Sequence, residues 1–384
     1  MISIFAHQMV NIRAIICTGL LCVLFIPGLV PESRAGEPYP PSPVIADMVV
    51  KWPSHKRYAQ GSDNFQLTWA DDGHQYGAWG DGGGFGGTNS KGRARHGVAR
   101  VEGGANKYTG HNVWGGYNAE NPALFNGKSW GTICINSTLY MWVVPDEPDT
   151  GGRRDHYAYI QLARSTDYGK SWEKQENWRF TVNEQLLIPT FINYGQNNAG
   201  ARDEYVYSYF LEPAPENTFV DSLYVQKPGV VYLARVLPEK MFNDKNAYEF
   251  YRGLDADGQP QWGSIGDKRP VFEDANGVGW CISASYNAGL QRYILSTEHD
   301  ISKVGIMGIF DAPEPWGPWT TVKYYDELSY FGKGQVVQNV FFLSFPTKWQ
   351  KPEGTDWTMV FTGAGNGKNN DSFNSLKGQF ILQK

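Results

Sequence analysis

The sequence predicts an all-β fold. Short runs of β-forming residues recur along it, and Gly, Asn, Asp and Pro punctuate them. Helical periodicity is scarce. Aromatic residues make up 15% of the chain, with 14 Trp and 22 Tyr, more than a β-core alone requires. Many short strands with regular turns are the pattern of a sandwich, a barrel or a propeller.

The first 35 residues read as a secretion signal. Arg13 supplies the positive start, Ala14 to Val30 the apolar stretch, and Ser33-Arg34-Ala35 a small-x-small cut site. The apolar run is short for a membrane span and Pro27 interrupts it, although an uncleaved anchor stays open. The residues before Cys22 do not form a lipobox. The expectation is a secreted or periplasmic protein with a lead-in over 36–60 and one domain over 61–384. No other stretch is apolar enough to span a bilayer.

Strands are expected over Thr132 to Val144, Tyr157 to Ala163, Tyr205 to Leu211, Val230 to Val236, Tyr293 to Ser296 and Val340 to Ser344. One short helix is expected within Leu237 to Tyr251, with Pro238 in its first turn. Beyond the signal, only Cys134 and Cys281 remain, and two separate buried thiols are expected. No CxxC or HExxH occurs, so no metal and no cofactor is called for. Asp255-Ala256-Asp257-Gly258 reads as a surface turn rather than a calcium loop.

The net charge of −5, without a Lys/Arg cluster, argues against nucleic acid and anionic lipid. A polyanionic polysaccharide would need a local basic groove, and the sequence displays none. A monomer is expected.

The densest chemistry lies in Ser62 to Gly87. Asp63, Asp71, Asp72 and Asp81 stand among Trp69, Tyr76, Trp79 and Phe85, ahead of a run of glycines. Carboxylates supply acid and base for glycosidic cleavage, aromatic faces hold sugar rings, and glycines lend a flexible backbone. The competing reading is a hairpin whose Asp and Gly only build turns, and Asp71-Asp72-Gly73 favours it locally. Gly200 to Tyr205 adds Arg202, Asp203 and Glu204, where an Arg beside an acid favours the ionised form. His299 is a candidate sugar contact, and Trp69, Trp79, Trp114 and Trp280 are candidate stacking platforms. His96 with Tyr117 or Tyr207 and Arg235 supports an alternative, a polysaccharide lyase with a His or Tyr base and an Arg on the uronate. A non-catalytic saccharide-binding propeller is the third reading.

Two motifs favour the propeller. Ser165-Thr166-Asp167-Tyr168-Gly169-Lys170-Ser171-Trp172 resembles the Asp-box of sialidase-like blades. Asp167 would accept backbone N–H bonds, Gly169 take positive φ, and Trp172 pack beneath. Ala312-Pro313-Glu314-Pro315-Trp316-Gly317-Pro318-Trp319 resembles an edge in five-bladed propeller glycosidases that act on furanosides. Five blades give about 70 residues each, against about 50 for seven, and the long loops favour five, with six or seven as alternatives. The proposed blades are Asp63–Gly83, Lys128–Val144 with Tyr157–Trp172, Pro189–Arg235, Val271–Thr297 with Gly305–Trp319, and Val340–Leu382.

The succession WADDGHQYGAWGDGGG, GKSWGTICINSTLYMW, GARDEYVYSYF, YEFYRGLDADGQPQW, SYNAGLQRYILSTEH and IFDAPEPWGPWTT is similar to a bacterial family of secreted proteins filed as a domain of unknown function. The resemblance runs from about Asp63 to the C-terminus. Some relatives are five-bladed endo-D-arabinofuranases, with two N-terminal aspartates as acid and base. The resemblance implies that Asp63 and Asp81 carry that role here, with Asp71 or Asp72 as other counterparts. Asp203 would assist, and Trp69, Asp72, Trp79, Arg202, Trp280 and His299 would bind substrate. The expected partner is a polysaccharide or oligosaccharide.

Overall fold

Twenty-four strands, short 3-10 turns and a single helical turn make up the described part of the chain in a computed structural model. The structure describes residues 36–85, 96–116, 127–144, 159–214, 224–337, 339–366 and 370–384. The signal segment 1–35, Gly86, Gly87, Arg93 to Arg95, Tyr117 and Tyr157 lie outside the described residues. All described residues fall in the unit Glu32–Lys384.

The strands build antiparallel meanders in chain order. The first runs Thr68–Trp69, Gln75–Trp79, Gly97–Gly104, Lys107–Gly115. The second runs Lys128–Ile135, Thr138–Val144, Tyr159–Ser165, with Glu173–Lys174 and Phe180–Thr181 on its outer side. The third runs Leu187–Asn193, Val206–Leu211, Gly229–Val236, then Glu249–Leu254 and Pro260–Gly263. The fourth runs Ser283–Asn287, Arg292–Glu298, Met307–Ala312, Thr320–Tyr324. The fifth runs Phe341–Ser344, Asp356–Thr362, Phe373–Leu382.

The lead-in 36–60 completes that last sheet. Ile45–Val50 and Lys56–Tyr58 both pair with Phe373–Leu382, so the two chain ends share one sheet. Its sequence shows the half-buried alternation of an edge strand only faintly, which is why it reads as a tether.

The first strand of each meander lies beside the first strand of the next. Third and fourth pair there in parallel, Ile192 with Ala284 and Asn193 with Ser285. Fifth and first meet through Phe65, whose ring packs edge-on against Phe373 at 5.1 Å. Polar side chains join these inner strands. Gln66 donates to the Ile282 carbonyl at 3.0 Å and accepts from Thr190 at 2.9 Å. They line a cavity of about 20 Å³, the room one water needs.

Large aromatics fill the space between meanders. Trp142 of the second stacks on Phe191 of the third at 5.6 Å. A buried ring of that size removes about 150–250 Å² from water. Trp79 shows what Gly84 of the glycine run does, together with two glycines outside it. A Cβ on Gly84, Gly97 or Gly116 would sit within 2.5 Å of its indole. Those glycines are there for close packing, not for a pliable loop.

Several expectations shift. Thr132 to Val144 is two strands, because Asn136 and Ser137 both adopt positive φ, 49° and 60°, and turn the chain back. The helix shrinks to Pro238–Met241, since Glu249–Leu254 is drawn into the sheet through Phe250 and Ala234. Pro270–Asp274, which includes Val271, pairs with Gly229–Val236 and belongs to the third meander, not the fourth. The first meander extends to Gly115, well past Gly83. The Pro-rich motif at 312–319 is a hairpin loop between two strands, with Glu314 bridging Gly317.

The Asp-box forms as its sequence predicts. Asp167 accepts from the Ser171 amide at 2.9 Å, Gly169 has φ 82°, and Trp172 packs beneath, its Nε1 donating to the Gly169 carbonyl at 3.0 Å. Cys134 and Cys281 are separate, free and buried.

Candidate active site

Asp63 and Asp81 meet because of hairpin register. Asp63 leads into the innermost strand of the first meander and Asp81 follows its second strand. Asp63 and Gly80 exchange backbone hydrogen bonds at 2.9 and 3.0 Å, which brings both aspartates to the hairpin base. Gly80 leaves these side chains room, because a Cβ there would lie 2.7 Å from Asp63 Oδ1 and 3.1 Å from Lys128 Nζ, and one of them would have to shift. Asp81 sits at φ 55°, in the left-handed region that most side chains avoid, and this turns its carboxylate back over the base.

A third acid arrives from the far end of the chain. Asp371 precedes the last strand, and its carbonyl accepts from the Gly61 amide at 2.7 Å. One oxygen each of Asp63, Asp81 and Asp371 lies within 4.8 Å of the others. Asn339 donates to Asp371 at 2.5 Å, and Lys128 donates to Asp81 at 2.6 Å. Burial pushes the Asp63 carboxyl up to about 7, and the neighbouring charges of Asp81 and Asp371 add to the shift against the pull of Lys128 and Lys303. Asp63 Oδ1 is buried without a hydrogen-bond partner, the position expected for an oxygen of the neutral acid.

The fourth meander brings Glu298 to the same end. Gly279, just before Trp280, accepts no Cβ because Glu298 lies against it. Lys303 N–H and Ser302 Oγ donate to the Glu298 carboxyl at 2.7 and 3.0 Å, yet burial still pushes it up to about 7. The Lys303 ammonium lies over the Trp280 ring at 5.2 Å. Cys281 is packed nearby against Asn64, and burial raises its thiol.

The other predicted residues divide between two ends. Trp280 and His299 belong to the Asp63 end, but both are buried, 2% and 1% exposed. His299 stacks on Tyr324 at 3.8 Å, and burial pushes its pKa down. Trp79 is core, 1% exposed. Asp72 and Trp69 lie at the hairpin tip, roughly 20 Å along the strand at about 3.3 Å per residue. Asp72 accepts from the His74 amide and from Tyr76 Oη, a turn-making role. Asp203 and Arg202 also lie at the tip end, on the loop that contacts Asp71 through Gln196. Asp203 takes bonds from Arg202 and Tyr207 at 2.9 and 2.7 Å, and Arg202 also bonds Glu314.

The lyase constellation is split in the same way. His96 is buried near the base, where desolvation drives it down to about 3. Tyr207 and Arg235 pair across strands at the tip end, where Arg235 lies between Tyr205 and Trp262.

Sequence reasoning missed Asp371, Lys128, Glu298 and Asn339. The signal for Asp371 was a polar stretch, Asn369-Asn370-Asp371-Ser372, directly ahead of the last apolar strand. The others carry no local signature, because each is brought in from another meander or from the loop ahead of one.

The family model described as a domain of unknown function (DUF4185) matches residues 131–339, more than half of the chain. That span includes Glu298 and Lys303 and excludes the three aspartates. No curated protein matches. Similar solved structures include a β-xylosidase, RS223, at 15% identity over 85% of this chain and 94% of that one, TM-score 0.49. A GH43_1 enzyme from Xanthomonas citri is 13% identical over 86% and 93%, TM-score 0.47. An α-L-arabinofuranosidase from Podospora anserina, in complex with cellotriose, is 10% identical over 88% and 98%, TM-score 0.46.

Proposed function

We propose, for a chain that belongs to the DUF4185 family, a secreted glycoside hydrolase acting on a polysaccharide that contains furanosides. The reading takes the five meanders as blades of one propeller, with Asp63, Asp81 and Asp371 at one end of its axis. Three acids from opposite ends of the chain, one of them raised to about 7, are the observation that carries it.

Glycosidic cleavage needs one neutral carboxyl and one carboxylate. Asp63 is the proton donor, because burial raises its pKa to about 7 and so keeps a protonated fraction available up to neutral pH. Asp81, paired with Lys128 and partly exposed, is the base or nucleophile. Burial holds the proton on Asp63, and the charges of Asp81 and, less strongly, Asp371 add to it. Acid oxygens within 4.8 Å of one another favour the short separation of retaining enzymes, about 5 Å, over the wider one that admits a water.

The purified protein is to be incubated with a panel of arabinans, xylans and galactans, and its products read by mass spectrometry. Reducing-end oligosaccharides are expected with the native chain and not with Asp63→Asn. Cleavage that survives in Asp63→Asn, or products that are unsaturated uronates, would overturn the assignment.

A further inference from the structure

The sequence displays no cluster of basic residues, but the fold assembles one. A groove of about 650 Å³ opens at the tip end, between the fifth meander and the Gly104-Ala105-Asn106 turn of the first. Its size lies within the range of about 300–1,000 Å³ common for ligand sites. Lys51, Lys348, Lys351 and Lys377 line it, from three separate stretches of chain, with Asp356 as the one acid of the lining. A fifth lysine reaches its rim. Lys56 Nζ donates to the Asn106 carbonyl at 2.5 Å, and Lys377 Nζ donates to the Oδ1 of the same Asn106.

Two ammonium groups thus converge on one neutral side chain. Neither is paired with a carboxylate among the described residues. Lys351 is exposed and likewise without an acid partner there. Lys348 donates to the Gly73 carbonyl, and burial lowers its pKa against the pull of Asp72. The Lys51–Asp356 pair is loose, at 3.7 Å. Five lysines thus stand around a single lining acid, Asp356; the surplus of like charge is repulsive, and an anion in the groove relieves that repulsion. The chain as a whole carries −5, so the patch runs against the overall charge.

We infer that this groove is a binding site for an acidic oligosaccharide, one bearing carboxylate, sulfate or phosphate groups, and that it grips the polysaccharide at the end of the molecule opposite the acids. The inference rests on the saccharide reading of the function. Nucleic acid fits less well, since single strands need exposed rings for base stacking. The indoles of the groove, Trp349 and Trp357, are 5% and 2% exposed. The backbone floor is open instead. Gly104 has nothing within 4 Å of where its Cβ would stand, which leaves room for a sugar ring.

Binding of a fluorescent tetragalacturonate to the whole protein tests this separately from catalysis, because no bond is broken. The native chain is expected to bind it at least tenfold more tightly than a neutral oligosaccharide of the same length. Raised salt should weaken the binding. Lys351→Glu with Lys377→Glu should lower affinity at least tenfold, and the milder Lys351→Gln with Lys377→Gln several-fold, with unfolding temperature recorded for both. The Asp63→Asn chain should bind as the native one does. Equal affinity for charged and neutral probes, affinity unchanged in both double variants, or tighter binding of a poly-uridine strand would each overturn the proposal.

Discussion

Four aspartates stand within one hairpin, and its two ends treat them oppositely. At the base, Asp63 is 7% exposed, with an oxygen that has no hydrogen-bond partner. At the tip, Asp71 is exposed and accepts from Ser137 at 2.7 Å and Tyr168 at 3.1 Å. Burial raises the Asp63 carboxyl toward about 7. Slight burial also raises Asp71, but the hydroxyl bonds outweigh it and hold that carboxyl below its ordinary value. Residue type is identical, and the difference lies in where hairpin register and ring closure put each side chain.

The largest expected effect comes from exchanging charge at each end. Asp81→Asn should lower glycoside hydrolysis by about a thousandfold or more, as loss of a reacting carboxylate does. Asp71→Asn should leave the rate within a few-fold. Initial rates on one polysaccharide, with both variants shown to be folded, check the contrast. A slow Asp71 variant beside a fast Asp81 variant would move the chemistry to the tip.

Gly80→Ala attacks the geometry without touching a charge. The new methyl would lie 2.7 Å from Asp63 Oδ1, so the acid or Lys128 must shift. Overpacking of this kind costs about 1–3 kcal/mol. A fall in rate of ten- to a hundredfold should accompany it, read by chemical denaturation and turnover on the same sample.

A pH series sharpens the comparison further. Asp63 in the folded chain titrates above its unfolded value near 4. The native state therefore binds more protons than the unfolded one between about 4 and about 7, and its stability falls as pH rises through that window. Glu298 contributes with the same sign. The unfolding temperature should be higher at pH 5 than at pH 8, and Asp63→Asn should reduce the difference. Hydrolysis should decline above about pH 7, where the donor loses its proton. An unfolding temperature that rises between pH 5 and pH 8 in the native chain, with no change in Asp63→Asn, would contradict the burial argument.

The smallest effect belongs to the second meander. Asp167→Ala removes bonds to Ser165 and Ser171 and should cost about 1 kcal/mol, with turnover unchanged. Denaturant midpoints check it.

The sequence made the all-β class and most strands legible because β-branched and aromatic runs record local burial. Asp167 and Gly169 were legible because a turn is a local object. Asp63 and Asp81 were singled out, but nothing local distinguished them from Asp72, which directly precedes a glycine and lies three residues from a tryptophan on the same hairpin. Their separation depends on which residues pair, Asp63 with Gly80 and Thr68 with Tyr76. Asp371 was illegible for a longer-range reason. It lies 290 residues beyond Asp81 and reaches the site because the chain ends close one sheet. Asp203 read as an assistant acid because Arg202 stands beside it; the two do pair, but that arginine also holds Glu314 and Trp316 and keeps the whole group at the tip end.

The most direct test is a carbon-13 titration of the Asp63 side-chain carboxyl in the folded protein, with Asp71 followed in the same spectra. The account predicts a midpoint near 7 for Asp63 and one below the ordinary carboxylate value for Asp71. Coincident midpoints, both near 4 as in free peptides, would contradict it.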